Sequence, residues 1–492
     1  MTAADLRGRE VLVLGLGRFG GGLGVTRWLL DQGARVTVTD RAPREALAEP
    51  AAAAEDAGAR LALGGHDGVR VADHELLVVN PAVPLTAPLV AEAREAGVPL
   101  TSEIALLMER WPGPLVGVTG SNGKSTTVGL LQALLEAAGV PAVAGGNLGG
   151  SLLARLDGAT PRTVAVLELS SFMLELLPEL GLGPEVALLT NLTPNHLDRH
   201  GTMEAYRDAK AGILTRARAA VLPAGDPWLA PLAEGLPADA VSWFGDQPGD
   251  QSGGQPGDAP GDGAATGPSI GSRPIDLGPD PAGDLLDREG RRVLVSGDIP
   301  LAGRMNRLNL AAAALTAGAL LDDLPRVLEA APRALAAYRP PPHRLEAVSR
   351  RGGVLWVDDS TSTTPESTAA SLEAVGGRCL LLAGGRDKGL DPAPLVAAAG
   401  RWARKVLTLG EEGPHLAQLL NRAGIPAEEV GTVPAAVARA ATLAQAGETV
   451  LLSPGYSSHD QFVHFEERGR AFCAAVEGLS DPEALSRPPA EC

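Results

Sequence analysis

An apolar run, Leu115-Val116-Gly117-Val118, leads into Gly120-Ser121-Asn122-Gly123-Lys124-Ser125-Thr126, and a helical pattern follows from Thr127 to Ala138. Few features constrain a fold as strongly. Strand, glycine turn, Lys-Ser/Thr and helix are the layout of a phosphate-binding loop set in a parallel α/β sheet. Glycines let backbone N–H groups curl around phosphate oxygens, and the helix N-terminus adds a favourable dipole. Lys124 is placed to neutralise terminal phosphates and the Ser125 hydroxyl to ligate Mg²⁺. Val118 stands where the strict eight-residue version of the motif has its first glycine. A plain glycine turn ending in a surface lysine is the bland alternative, and the flanking strand and helix argue against it.

The rest of the chain supports an α/β reading. At 492 residues it is too long for one core, so two to four domains are expected. Apolar residues make up 45% and aromatics 3%, which suits sheets and helices rich in Ala, Leu and Val. A formal net charge of −17 argues against sequence-independent nucleic-acid binding, although local loops can still hold anionic substrates. Cys379, Cys473 and Cys492 lie far apart, without metal or disulfide spacing, so a reducing, cytoplasmic setting is expected. Val11 to Leu16 reads as a strand ending in glycines and not as a signal peptide, and no apolar stretch is long enough to predict a membrane span.

The chain divides into blocks at 1–112, 113–337 and 338–492. The first alternates strands (Val11–Leu14, Arg35–Thr39, Leu77–Val79) with helices, the pattern of parallel βαβ units. The second carries the phosphate loop and strands at Thr163–Leu167 and Val186–Leu189. The third begins at a stiff proline linker, Tyr338 to Pro342, and has strands near 354–357, 379–382, 405–407 and 449–452. From about 245 to 287 the composition collapses to Gly, Pro, Asp, Gln and Ser, with Gln247-Pro248-Gly249-Asp250 repeated at 255–258. Such a segment reads as a disordered insertion, because it has little apolar surface to offset chain entropy.

Three further constellations carry chemistry. Gly15-Leu16-Gly17-Arg18-Phe19-Gly20 is a G-x-G-x-x-G turn between strand and helix, and Asp40 ends the next strand at the spacing of a ribose-binding acid. A dinucleotide is one reading and another nucleotide diphosphate is the favoured one, since the same glycines serve any diphosphate at a helix N-terminus. Glu168 interrupts the apolar strand Val166-Leu167-Glu168-Leu169; an unpaired buried carboxylate there is costly, so it should meet a cation, or else sit at an exposed strand end beside an arginine. Asn191 to Gly201 crowds polar residues, His196 among them, into the loop beyond a strand, where parallel sheets bind ligands. Lys210 follows on a predicted helix, Met203–Leu214.

Taken together these motifs resemble the Mur ligase family over nearly the whole chain outside the insertion. The family's T-G-T-N-G-K-S/T is here Thr119 to Ser125; its G-N-I-G is Gly146-Asn147-Leu148-Gly149; its L-E-L-S-S-F is Leu167 to Phe172; its D/N-H-L-D-R-H is Asn195 to His200; and its Y-x-x-A-K is Tyr206 to Lys210. Gly303 to Asn309 resembles G-x-H-N-x-x-N with Met305 for His, Pro342-His343-Arg344 resembles P-H-R, Gly384 to Lys388 a lysine loop, and Ser453 to Phe465 an S-P-x-x-x-S-x-D-x-F segment. The resemblance implies a Rossmann-like UDP-binding N-terminal domain, a central P-loop ATPase domain and a Rossmann-like α/β C-terminal domain that binds glutamate. It implies a monomeric enzyme that uses ATP and two Mg²⁺ ions to join glutamate to UDP-N-acetylmuramoyl-L-alanine through an acyl phosphate. Lys124, Glu168, His196 and Lys210 would be catalytic, with Lys210 carbamylated, and Ser125, Glu168, His196 and Lys210 would form the metal sites. Gly120, Ser121, Asn122, Gly123, Lys124, Ser125, Thr126, Asn306, Arg344 and Asp359 would bind ATP. Gly15, Gly17, Arg18, Phe19, Asp40, Arg41, Asn80 and Asn147 would bind the UDP substrate, and Thr363, Lys388, Ser458 and Phe465 the incoming glutamate.

Two departures bear on the acceptor. The family's N-D-S-K-A-T-N reads Asp358 to Thr364, with Thr361 in place of the lysine, and its S-P-G reads Asn80-Pro81-Ala82. D-glutamate is the implied acceptor; L-glutamate, or another amino acid joined by a Mur-type ligase, is the alternative. From other classes, a dinucleotide oxidoreductase leaves Lys124 and Glu168 unexplained, and a non-catalytic assembly factor leaves Lys124, Glu168 and Lys210 together without a purpose.

Overall fold

The computed structural model describes residues 6–17, 20–148, 151–247, 275–295, 304–340 and 342–479. They form two compact units, one built on two sheets and the other on a third.

In the first unit, β1 (Glu10–Leu14), β2 (Arg35–Asp40), β3 (Arg60–Leu63), β4 (Leu76–Val79) and β5 (Leu100–Thr101) pair in the order β3-β2-β1-β4-β5, all parallel. This is a doubly wound sheet whose order reverses at β1, so loops after β1 and β4 flank a crevice. Leu12, Val13 and Leu14 are buried, as a strand covered on both faces requires.

The second sheet comprises β6 (Leu115–Thr119), β7 (Ala142–Gly146), β8 (Val164–Glu168), β9 (Val186–Leu189), β10 (Ala219–Pro223), β11 (Val241–Phe244), β12 (Leu277–Pro279), β13 (Leu285–Asp287) and β14 (Arg292–Leu294). Its order is β14-β13-β12-β11-β10-β9-β6-β8-β7. β6 lies between β8 and β9, parallel to both, with Val118 opposite Glu168 and Thr119 opposite Leu189. The carboxyl ends of all three strands therefore open at one place.

Part of the Gly- and Pro-rich span is ordered into strands. β12 and β13 lie inside the span 245–287, where disorder was expected, and pair antiparallel with Leu277 and Leu285 fully buried. These leucines supply the apolar anchors that an average over a Gly- and Pro-rich window conceals. Residues 248–274 lie outside the described residues.

The second unit holds β15 (Glu346–Arg351), β16 (Val354–Asp358), β17 (Cys379–Gly384), β18 (Ala403–Leu409), β19 (Ala427–Gly431) and β20 (Thr449–Leu452), in the order β15-β16-β20-β17-β18-β19. Among these strands β15 and β16 pair antiparallel and the other neighbours pair parallel. Asp358 pairs with Leu452 at the carboxyl end, which brings the loops after β16 and β20 side by side. Among the described residues no helix is long and apolar enough to cross a membrane.

Candidate active site

The phosphate loop leaves β6 through Gly120 (φ 146°) and enters the helix Lys124–Ala137 through Gly123 (φ 82°). Both glycines are demanded by close approach. A Cβ on Gly120 would lie 1.9 Å from the Thr190 hydroxyl, and one on Gly123 2.5 Å from Oδ1 of Asn309. The helix starts at Lys124, one turn earlier than the apolar pattern indicates.

The loop is stitched to the segment after β9. Thr190 Oγ1 donates to the Asn122 carbonyl at 2.7 Å. The Asn191 side chain accepts from Asn122 N–H at 3.0 Å and donates to the Asn122 carbonyl at 3.0 Å. Ser121 N–H donates to the Asn191 carbonyl at 2.9 Å. Thr190, Asn191 and Asn309 are the residues that sequence reasoning left without a role. All three stand inside or beside motifs it quoted, and only their contacts with the loop reveal what they do.

Glu168 ends β8 and is 3% exposed. Its Oε2 accepts from Ser125 Oγ at 2.6 Å and its Oε1 from Asn147 Nδ2 at 2.9 Å. One carboxylate thus joins the phosphate loop to the loop after β7. The register pairing Gly146 with Glu168 makes this possible, and a Cβ at Gly146 would lie 2.2 Å from the Glu168 carbonyl.

Two lysines converge on a single carbonyl. Lys124 Nζ donates to Gly120 O at 3.0 Å and Ser121 O at 2.9 Å. Lys210 Nζ donates to Gly120 O at 2.8 Å and lies 4.6 Å from the centre of the Tyr206 ring. Lys210 is 1% exposed. Burial, with the Lys124 charge added, holds its ammonium well below the ordinary lysine range, while Glu168 opposes the shift. Tyr206, whose hydroxyl lies 3.3 Å from Ser121 Oγ, is pushed up to about 12 by burial.

His196 sits in the left-handed region (φ 54°), with its ring 5.0 Å from Phe172 and 6.4 Å from Tyr206. The side chain of Asp198 lies outside the described residues. Arg199 donates to the Pro81 carbonyl at 2.8 Å and to Glu175 at 2.7 Å, and lies over the Phe172 ring. This arginine ties the His196 loop to the loop after β4 that begins at Asn80.

In the first sheet Gly15 (φ 97°) faces Asn80, whose Nδ2 donates to the Gly15 carbonyl at 3.3 Å. Asn80 Oδ1 accepts from Ala82 N–H at 3.0 Å, a turn that needs no side chain from Ala82. Asp40 does not simply project toward a ribose. Its Oδ2 accepts from Leu16 N–H at 2.9 Å and Gly17 N–H at 3.1 Å, and its Oδ1 from Ala42 N–H at 2.8 Å. The carboxylate braces the glycine turn, a use that spacing along the chain cannot distinguish from ligand contact. Arg41 is exposed in the following turn. Arg18, Phe19, Gly149 and Gly303 lie outside the described residues.

In the second unit Asp359 is buried. Its Oδ1 accepts from Leu345 N–H at 3.2 Å and its Oδ2 from Ser453 Oγ at 2.7 Å. Burial raises its pKa against the opposing pull of neighbouring serines and Arg344. Among the described residues the buried Arg344 Nε has no hydrogen-bond partner. Lys388 Nζ donates to Thr363 Oγ1 at 3.3 Å. Ser458 is buried, with its carbonyl accepting from Phe462 N–H at 2.9 Å, and the Phe465 carbonyl accepts from Ser360 Oγ at 2.8 Å. Arg468, 1% exposed, donates to Ser360 and to the Tyr456 carbonyl, and so holds the Asp358–Thr364 loop from beneath. Thr361 supplies no charge to this loop; its N–H donates to the His343 carbonyl at 3.1 Å. Asn306 lies in the first turn of the helix Arg304–Leu321, and Asn309, one turn on, is the residue beside Gly123.

Comparison with known proteins matches all three parts of the chain. Residues 9–102 match the Mur ligase MurD-like N-terminal domain, 118–249 the Mur ligase middle domain, and 343–455 the Mur ligase glutamate ligase domain. A UDP-N-acetylmuramoylalanine–D-glutamate ligase of Anaeromyxobacter dehalogenans is 38% identical, covering 96% of this chain and 98% of its own. One from Symbiobacterium thermophilum is 33% identical over 93% and 96%. The chain belongs to the Mur ligase family. Its fold is shared with UDP-N-acetylmuramate-alanine ligase of Thermotoga maritima (TM-score 0.58, 18% identity, 95% of this chain and 99% of that one). A pseudomurein peptide ligase type C of Methanothermus fervidus gives a TM-score of 0.56 at 17% identity, over 96% and 100%. Membership makes the protein an ATP-dependent ligase with three α/β domains. The oxygen donors paired at part-buried Ser125 and buried Glu168 are a donor set that suits the Mg²⁺ such ligases use.

Proposed function

We propose that this protein adds D-glutamate to UDP-N-acetylmuramoyl-L-alanine with cleavage of ATP to ADP and phosphate, in the cytoplasm and as a monomer. The observation that carries the reading is Glu168, which holds Ser125 of the phosphate loop and Asn147 of the adjacent loop at once. In this reading the bridge brings the γ-phosphate of ATP beside the substrate's alanyl carboxylate. The full-length relatives, named for this reaction, support the choice of substrates.

Lys124 offsets phosphate charge while the alanyl carboxylate attacks the γ-phosphate and becomes an acyl phosphate. Ser125, Glu168, His196 and Lys210 would hold Mg²⁺, which supplies charge neutralisation between phosphate and carboxylate. Lys210 acts there as its carbamate. Its buried site lowers the cost of the neutral amine, the form that adds CO₂, and the adduct exchanges an ammonium for oxygen donors. Asn147 orients the muramoyl substrate, and the glycine turn with Asn80 and Arg41 holds the UDP moiety. Asn306, Arg344 and Asp359 hold the nucleotide. Lys388, Thr363, Ser458 and Phe465 place the glutamate, whose amine displaces phosphate to give the amide.

The test is ADP release from ATP and UDP-N-acetylmuramoyl-L-alanine with D-glutamate, L-glutamate or other amino acids. Strong stimulation by D-glutamate is expected, and none by either glutamate overturns the assignment. A second reading, L-glutamate as acceptor, is favoured by Thr361 at the family's lysine position and predicts stimulation by that isomer instead. Carbamylation is checked separately. Bicarbonate removal and Lys210→Ala should each cut activity, and a fully active Lys210→Ala enzyme excludes it.

A further inference from the structure

In the second unit three side chains with metal-binding atoms converge: His343, Asp358 and Cys473. His343 Nδ1 lies 2.7 Å from Asp358 Oδ2, and Cys473 Sγ lies 3.6 Å from the same oxygen. All three ligand atoms fall within 4.8 Å of one another. They come from separate elements: the segment before β15, the end of β16, and the helix Phe465–Glu477. The helix is drawn against the pair at Gly469, where a Cβ would sit 2.3 Å from His343 Nδ1 and 2.8 Å from Asp358 Oδ2. His343 holds a left-handed backbone (φ 61°), and its N–H donates to Glu346 at 2.7 Å, so its ring is presented from a constrained turn.

We propose that His343, Asp358 and Cys473 bind a thiophilic divalent cation of the Zn²⁺ class, at a site separate from the Mg²⁺ used in the ligase reaction. Imidazole nitrogen, carboxylate oxygen and thiolate sulfur are a mixed donor set that Zn²⁺ accepts and Mg²⁺ does not. The sulfur–oxygen separation already suits two ligands of one tetrahedral ion, while the nitrogen–oxygen pair must open by roughly half an ångström from its hydrogen bond. On binding, the thiol proton passes to solvent, and the Nδ1 proton that bridges to Asp358 is given up to solvent while Nε2 takes one from it, so that Nδ1 is left for the metal. The bound ion clamps the C-terminal helix to β16 and to the turn that carries Arg344.

The experiment uses the full-length protein, stripped of adventitious metal and titrated with Co²⁺ in excess Mg²⁺. A thiolate-to-cobalt charge-transfer band saturating at one equivalent, and displaced by Zn²⁺, is expected; Co²⁺ at an oxygen-ligated Mg²⁺ site gives no such band. Cys473→Ala, which retains Cys379 and Cys492, should lose the band and keep its ligase activity, and Asp358→Asn should weaken cobalt binding at least tenfold. Zn²⁺ should raise the melting temperature of the wild type and not that of Cys473→Ser. No band in the wild type, or an undiminished band in Cys473→Ala, overturns the proposal and leaves the cluster a hydrogen-bonded brace.

Discussion

The two glycine loops of the first unit share one plan and opposite electrostatics. Each leaves a parallel strand, enters a helix through a left-handed glycine (Gly20, φ 84°; Gly123, φ 82°) and would suit a phosphate group. The first is braced by a carboxylate, with Asp40 taking the N–H groups of Leu16 and Gly17. The second is braced by neutral Thr190 and Asn191, and two lysines meet on its Gly120 carbonyl. A loop with an anion behind it suits a diphosphate that is held and not transformed. A loop with the Lys124 ammonium at its floor suits one on which negative charge shifts during reaction. Under the proposed function the same glycine pattern serves anchoring in one place and phosphoryl transfer in the other, and the bracing residue distinguishes them.

The largest expected effect comes from Lys124→Ala. Its loss should cut kcat/KM for ADP release by roughly 10²–10³-fold. Calorimetric binding of the UDP substrate should stay unchanged, and a parallel loss of both would collapse the distinction between the loops. Asn191→Ala comes next. Removing the two Asn191 side-chain hydrogen bonds to Asn122, whose carbonyl keeps Thr190, should raise the KM for ATP several-fold and cost about 1–3 kcal/mol in denaturant unfolding. If nucleotide kinetics are wild-type, the stitching is dispensable. Asp40→Ala should show the reverse selectivity: a raised KM for the UDP substrate, an unmoved KM for ATP, and a stability loss of about 1–2 kcal/mol from the orphaned N–H groups. The smallest effect is expected at Gly20. A Cβ there meets open space, so Gly20→Ala should cost only the left-handed backbone penalty of about 1–2 kcal/mol. Gly123→Ala pays that penalty and also displaces Asn309, so it should weaken ATP binding as well. Equal losses at the two glycines would show that Asn309 has room to move.

Much of the site was legible because its chemistry is local in sequence. Lys124 and Ser125 stand at fixed offsets from their glycines, and Glu168 betrays itself as a carboxylate inside an apolar strand. Lys210 was legible through its motif, but its burial and its contact with the Gly120 carbonyl were not. The insertion was misjudged at its end because a few buried leucines, rather than average composition, decide whether a short hairpin joins a sheet.

The sequence by itself determined the α/β class, the positions of the phosphate loop and the glycine turn, and the residue types able to hold phosphate and metal. These follow from periodicity and short-range spacing, which are properties of a chain segment. Tertiary structure alone decided that β8 and β9 flank β6, so that Glu168, Thr190 and Asn191 meet one loop. It alone decided that Asp40 turns onto its own glycine loop and that His343, Asp358 and Cys473 share a corner. Such meetings depend on strand order and side-chain direction, and residues far apart along a chain carry no local signal of which neighbour their hydrogen bonds will find.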